Sequence, residues 1–227
     1  MQKSVVTVKN MVLEEKMEYD GNTVLVYRIE YPQFYSSFYI MALNEINRFY
    51  KRRALEYQYY VTTELYNMAV EQYKFNVENG FPMNPYAAYV AYEITYNSGC
   101  ILSLYFDQYA YMGGAHGNTM RYAHTFDLQN GNKVKLSQLF GCYLNHRTYI
   151  LNQVLEQIKK EPEFYFDDYE TLVVETFNPK NFYCTPEGVV VYYLQYDIAP
   201  YSSGIREFLI PYGDCVIDPI KMCSFYN

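Results

Sequence analysis

The chain has 227 residues, half of them hydrophobic and 19% charged, which excludes a disordered polymer and leaves enough length for a large core. Its net charge of −7 argues against a nucleic-acid surface, which needs clustered cations to displace counterions. No apolar run approaches the roughly 20 residues needed to cross a bilayer.

Taken in chain order, residues 4–13 and 23–31 read as two strands around the turn Asp20-Gly21-Asn22. In the second, Leu25, Tyr27, Ile29 and Tyr31 share one face, and Pro32 is expected to end it. Ser36 or Ser37 is the expected N-cap of a helical stripe made by Phe38, Ala42, Ile46, Phe49, Tyr57, Val61, Leu65 and Ala69. The stripe is either one unusually long helix or two meeting near residue 54, stopped by Asn79-Gly80-Phe81-Pro82. Lys51-Arg52-Arg53 lies on its polar side and reads as a solvated face.

A meander follows. Residues 89–96 and 100–111 flank the turn Asn97-Ser98-Gly99, and a third strand runs from Gly113-Gly114-Ala115-His116-Gly117-Asn118 to Leu128. Asn130-Gly131 makes another hairpin turn. A compact amphipathic helix carries Ile150, Leu151, Val154, Leu155 and Ile158 on one side. Residues 161–170 are acidic and aromatic and read as a loop or short helix. Residues 181–184 and 188–196 form a hairpin across Thr185-Pro186-Glu187, and 205–210 a last strand before Pro211. The expected class is α+β, with a mostly antiparallel sheet packed against one long and one shorter helix. Two interlocked modules are expected, 1–105 and 106–227.

Five scattered cysteines, Cys100, Cys142, Cys184, Cys215 and Cys223, lack CxxC spacing and read as reduced core thiols. That usage places the chain as it stands in the cytoplasm. The alternative is an extracytoplasmic protein whose signal or anchor lies outside this sequence. Thirty tyrosines stand against no tryptophan, and most fall on strand periods, where half-buried sheet positions favour them. A second use is an exposed surface for a sugar or a partner.

Motifs for chemistry are sparse. His116, His124 and His146 do not have zinc spacing, so neither a metal nor a cofactor is expected. There is no nucleophile elbow, Walker loop or dinucleotide fingerprint. Two segments remain. The glycines around His116 either present it as an acid–base group or anion site, or make a tight crossing in which it bonds backbone. In Tyr196-Asp197-Ile198-Ala199-Pro200-Tyr201-Ser202-Ser203-Gly204, Asp197 either caps the loop or pairs with His116, Glu187 or Glu207 for glycoside chemistry.

These two segments, with Thr125-Phe126-Asp127-Leu128 and Ile210-Pro211-Tyr212, resemble a bacterial domain of unknown function. It forms the outer, lysozyme-sensing part of the anti-sigma factor RsiV. The preceding strands and long helix resemble the module that accompanies it, and the same pair precedes the catalytic domain in PdaC-type peptidoglycan deacetylases. The resemblance implies a non-catalytic binding or sensor module for a lysozyme-like protein or peptidoglycan fragment, with His116, Asp197 and Tyr201 as candidate ligand-binding residues. The alternatives are a glycan-active hydrolase using Asp197 or Glu187 with His116, and a cytosolic protein-interaction domain.

Overall fold

The computed structural model describes residues 6–141 and 145–223. Among the described residues, nine strands form two sheets, one of six strands in the order β1-β2-β3-β4-β5-β6 and one of three, β7-β8-β9. The chain is α+β.

Strands β1 (Thr7–Tyr19) and β2 (Asn22–Tyr35) are a long antiparallel hairpin turned at Asp20-Gly21. The expected strand at 4–13 starts in part outside the described residues and extends further than its hydrophobic pattern. Leu25, Tyr27, Ile29 and Tyr31 are buried on one face as expected. Pro32 does not end β2. Strand β3 pairs only with Leu25–Ile29, so beyond Ile29 one side of β2 faces no strand and a residue without an N–H is tolerated.

The helical stripe forms one continuous rod: α1 (Ile40–Tyr60), a π-helical segment (Val61–Leu65) and α2 (Tyr66–Asn79), closed by Gly80 in the left-handed conformation at φ 68°. Neither Ser36 nor Ser37 caps it. The N-cap is Tyr39, and the Ser36 hydroxyl instead accepts from the Phe38 N–H, one turn too early. Phe38 consequently lies outside the stripe and is exposed, whereas Leu43, Ile46, Tyr50, Ala54, Val61, Leu65 and Ala69 are buried. Asn47 ties the rod to β2 by giving its side-chain N–H to the Phe34 carbonyl and accepting from the Phe34 N–H.

Because the rod crosses back over the sheet, β3 (Tyr86–Ser98) joins β2 in parallel, the sole parallel pairing among the described strands. β4 (Ile101–Tyr111), β5 (Asn118–Asp127) and the short β6 (Asn132–Lys133) continue as an antiparallel meander. Asp127 organises the turn after β5 by accepting from the Gln129 N–H and the Asn130 amide.

The second sheet, β7 (Phe182–Cys184), β8 (Gly188–Tyr193) and β9 (Arg206–Pro211), lies on the face of β4 and β5 away from the rod. Every residue of β8 is buried, because both of its faces are covered. Val190 and Tyr192 face Tyr105 and Ala123, while Val189, Val191 and Tyr193 face Ile150, Val154 and Ile158 of α3 (His146–Ile158). A short α4 (Tyr169–Glu175) closes that side through Val173. The layers are therefore rod, large sheet, small sheet and short helices.

The reading of the cysteines as reduced thiols is corrected. Cys100 and Cys223 form a disulfide, with Cα atoms 5.6 Å apart although the residues are 123 positions apart in sequence. Cys215 is also disulfide-bonded, and Cys184 is a buried free thiol. Cys142 lies outside the described residues. Spacing along the chain carries no signal for a pair that only the return of the C-terminal segment onto the β3–β4 turn brings together.

Candidate functional site

The two segments singled out in the sequence meet in space. His116, between β4 and β5, stacks on Tyr201, between β8 and β9, with ring centroids 3.7 Å apart and planes 18° from parallel. A second link joins the same loops, where Gln195 accepts from the Thr119 N–H at 2.9 Å. The glycines before and after His116 have separate tasks. Gly113 and Gly114 take φ of 87° and 83°, and Gly117 leaves room for the Tyr109 ring, which a Cβ would meet at 2.4 Å. Tyr109 stacks in turn on Tyr89, 6.0 Å away with planes 11° from parallel. The imidazole Nδ1 of His116 lies 3.0 Å from the Gly117 carbonyl, so the ring is oriented by backbone.

The opposing loop is held in a conformation its sequence does not favour. Tyr196 sits at φ 68°, a region bulky side chains rarely adopt. Asp197 secures the turn by accepting from the Leu194 N–H at 2.7 Å while its own N–H bonds the Leu194 carbonyl. Burial raises the Asp197 carboxyl pKa, and the Leu194 N–H opposes that shift in part. The acidic-aromatic segment supports the loop from behind through Phe166 N–H to Ile198 carbonyl and Ser203 hydroxyl to Phe164 carbonyl. Tyr196 and Tyr89 remain exposed, and Tyr201 is half-buried between Tyr196 and His116.

The carboxylates do not gather there. Glu187 precedes β8 and Asp197 follows it, so the length of the strand separates them. Glu207, on β9, is committed to a different cluster. Its carboxylate accepts from the Tyr183 hydroxyl at 2.9 Å and pairs with Arg121. The Arg121 guanidinium also forms a two-pronged pair with Asp107, at 2.6 Å on each prong, and lies 3.7 Å over the Tyr105 ring. Burial opposes the charge on Arg121, but the Asp107 hydrogen bonds and carboxylate outweigh it and raise its pKa. No local pattern announces this knot, because its members come from β4, β5, β7 and β9.

The other histidines lie elsewhere. His124 is packed under the rod with its Nδ1 3.0 Å from the Tyr50 hydroxyl, and its pKa is lowered to about 3 by burial, then by Lys133 and Arg53. His146 opens α3. Among the described residues, no three His, Cys, Asp or Glu side chains converge to hold a metal ion, and no helix is long and apolar enough to cross a membrane.

A helix-backed sheet with a second small sheet on its other face, joined at one end by a stacked His–Tyr pair, defines a two-module α+β protein. Residues 18–119 match the family described as Deacetylase PdaC, and residues 138–213 match a protein of unknown function family, DUF3298. The chain carries these two domains in tandem. It shares its fold with a DUF3298 family member from Bacteroides fragilis, at 18% identity over 97% of each chain and a TM-score of 0.74. A DUF3298 family protein from Pseudomonas aeruginosa is similar over 95% of this chain and 96% of its own, at 13% identity and a TM-score of 0.61. No curated protein matches the chain.

Proposed function

We propose that the chain is a non-catalytic, extracytoplasmic binding module, and that its ligand is a wall-associated glycan or a lysozyme-like protein. The observation that carries this reading is the convergence of the two motif loops on the His116–Tyr201 stack at the tyrosine-rich end of the sheets. Tyr89, Tyr109, Tyr196 and Tyr201 offer flat apolar faces with polar tips, the chemistry that sugar rings and protein hot spots both use. His116, Asp197 and Tyr201 divide the work. His116 and Tyr201 contact the ligand, and Asp197 holds the loop that presents Tyr201. The Cys100–Cys223 disulfide supports an oxidising compartment, since such bonds rarely persist in a reducing cytosol. The net charge of −7 favours a basic protein partner through steering.

Calorimetric titration with lysozyme and with chitooligosaccharides, at low and physiological salt, tests the reading. Binding of one of them, weakened about tenfold or more by Tyr201→Ala with an unchanged melting temperature, is the expected result. Silence toward both, or binding indifferent to Tyr201→Ala and His116→Ala, would sink it.

A further inference from the structure

A second concave site lies away from the tyrosine-rich end. Strand β6 pairs only with Phe126 and Asp127, and the Val134 N–H still reaches the Thr125 carbonyl, so the edge of β5 over residues 122–124 is left without a neighbouring strand. The chain on either side rises around this edge, residues 133–137 from one direction and 178–182 from the other. The result is a cleft of about 830 Å³ between the two sheets, a size suited to a small organic ligand.

Its lining does not match the rest of the molecule. In a chain of net charge −7, none of the described residues lining the cleft is acidic, while Lys133, Lys135, Lys180 and His146 all face it. The ion pairs formed among the described residues use other cations, so these three lysines have no carboxylate partner there. Lys133 lies over the Phe49 ring at 4.5 Å, so its charge sits against apolar surface. Its pKa is lowered, first by partial burial and then by the positive charges of Arg53 and Lys180. The wall is apolar, with Tyr122 and Phe182 contributing rings. Asn181 lines the cleft although the residue is only 9% exposed.

We propose that this cleft binds a small organic anion, a carboxylate or phosphate head on an apolar body, with the head held by Lys135 and Lys180 and the body lying against Tyr122 and Phe182. Asn181 supplies a directional hydrogen bond, and Lys133 adds a third positive charge to the lining. The ligand chemistry follows from the lining: uncompensated cations at a rim, rings on the wall and a side-chain amide among them. The proposal is independent of the function assigned to the tyrosine-rich end.

Calorimetry on the full chain with n-octanoate, n-octyl phosphate, n-octanol and inorganic phosphate tests it and separates the two head groups. At least one octyl anion is expected to bind about tenfold or more tightly than both octanol and inorganic phosphate, and to weaken as salt rises. The exposed double variant Lys135→Glu/Lys180→Glu should cut that affinity about tenfold or more. The same charge change at Lys51→Glu/Arg52→Glu, on the outer face of the rod, should leave it nearly intact. If the double variant fails to fold, Lys180→Glu alone is read in the same way. No binding by either octyl anion, equal binding of octanol, or equal loss in both charge-reversed variants would overturn the proposal.

Discussion

His124 shows how a single buried side chain sets a pH dependence. Its folded pKa of about 3 lies below the ordinary 6.5 because burial penalises the imidazolium and Lys133 and Arg53 repel it. The unfolded chain therefore binds a proton that the folded chain refuses. The stabilising contribution is complete above pH 6.5 and is lost as pH falls toward 3, at up to about 1.4 kcal/mol per pH unit. Urea midpoints measured from pH 7 to pH 4 should fall, and His124→Phe should flatten that slope whatever it does to stability at neutral pH. Asp197 works in the opposite sense, since its raised pKa favours proton uptake by the folded state. Cys184 is the complementary case at high pH. Burial pushes its thiol up to about 12, so the nucleophilic thiolate is scarce. Mass spectrometry after brief alkylation should find Cys184 unlabelled in native protein and labelled in denaturant. Gly117 is set by space rather than by φ. Gly117→Ala should displace the Tyr109 ring from Tyr89 at a cost of about 1 kcal/mol, visible as a change in tyrosine near-ultraviolet dichroism.

At the scale of elements, the periodicities of the strands and of the long helix were legible because burial on one face writes itself into alternation or into a three-to-four repeat. Leu25, Tyr27, Ile29 and Tyr31 are the clearest instance, and Ile150, Val154 and Ile158 are another. The start of the rod was less legible. Two serines preceding an apolar run look like a cap, but packing of Leu43 and Ile46 on β2 selects Tyr39 as the first half-helical residue. The π-helical segment left no mark in the residue pattern, although the Thr62 and Thr63 hydroxyls bond back to the Gln58 and Tyr59 carbonyls there. The joining of elements was not legible at all. Arg121 links β5 to β4 and β9 through Asp107 and Glu207, and only 9% of its side chain is exposed. Arg121→Ala leaves two carboxylates facing each other without a cation and should cost about 3 kcal/mol or more in chemical denaturation. Arg121→Lys should recover little, because one ammonium cannot make the two-pronged pair and lie over Tyr105 together.

For the whole molecule, the Cys100–Cys223 bond closes a loop of 123 positions and pins the C-terminal segment to the turn between β3 and β4. Because it restricts so long a stretch of unfolded chain, Cys223→Ser should lower the unfolding free energy by about 3–5 kcal/mol, checked by denaturant titration under oxidising conditions. The molecule also separates its surfaces by charge. A net negative chain keeps a cationic cleft at the uncovered edge of β5 and an aromatic platform where the two loops meet.

The amino-acid sequence alone determined the α+β class, the order of strands around a long helix, the turns at Asp20-Gly21 and Asn130-Gly131, and the two segments that form the platform. These are local properties: burial on one face, backbone freedom at glycine and the capping chemistry of Asp each act within a few residues. The tertiary structure decided which distant groups touch. It stacked His116 on Tyr201, set Glu187 and Asp197 at opposite ends of β8, closed the disulfide and opened the cleft. Each of these depends on how sheets and loops pack across many tens of residues, and no spacing along the chain encodes that directly.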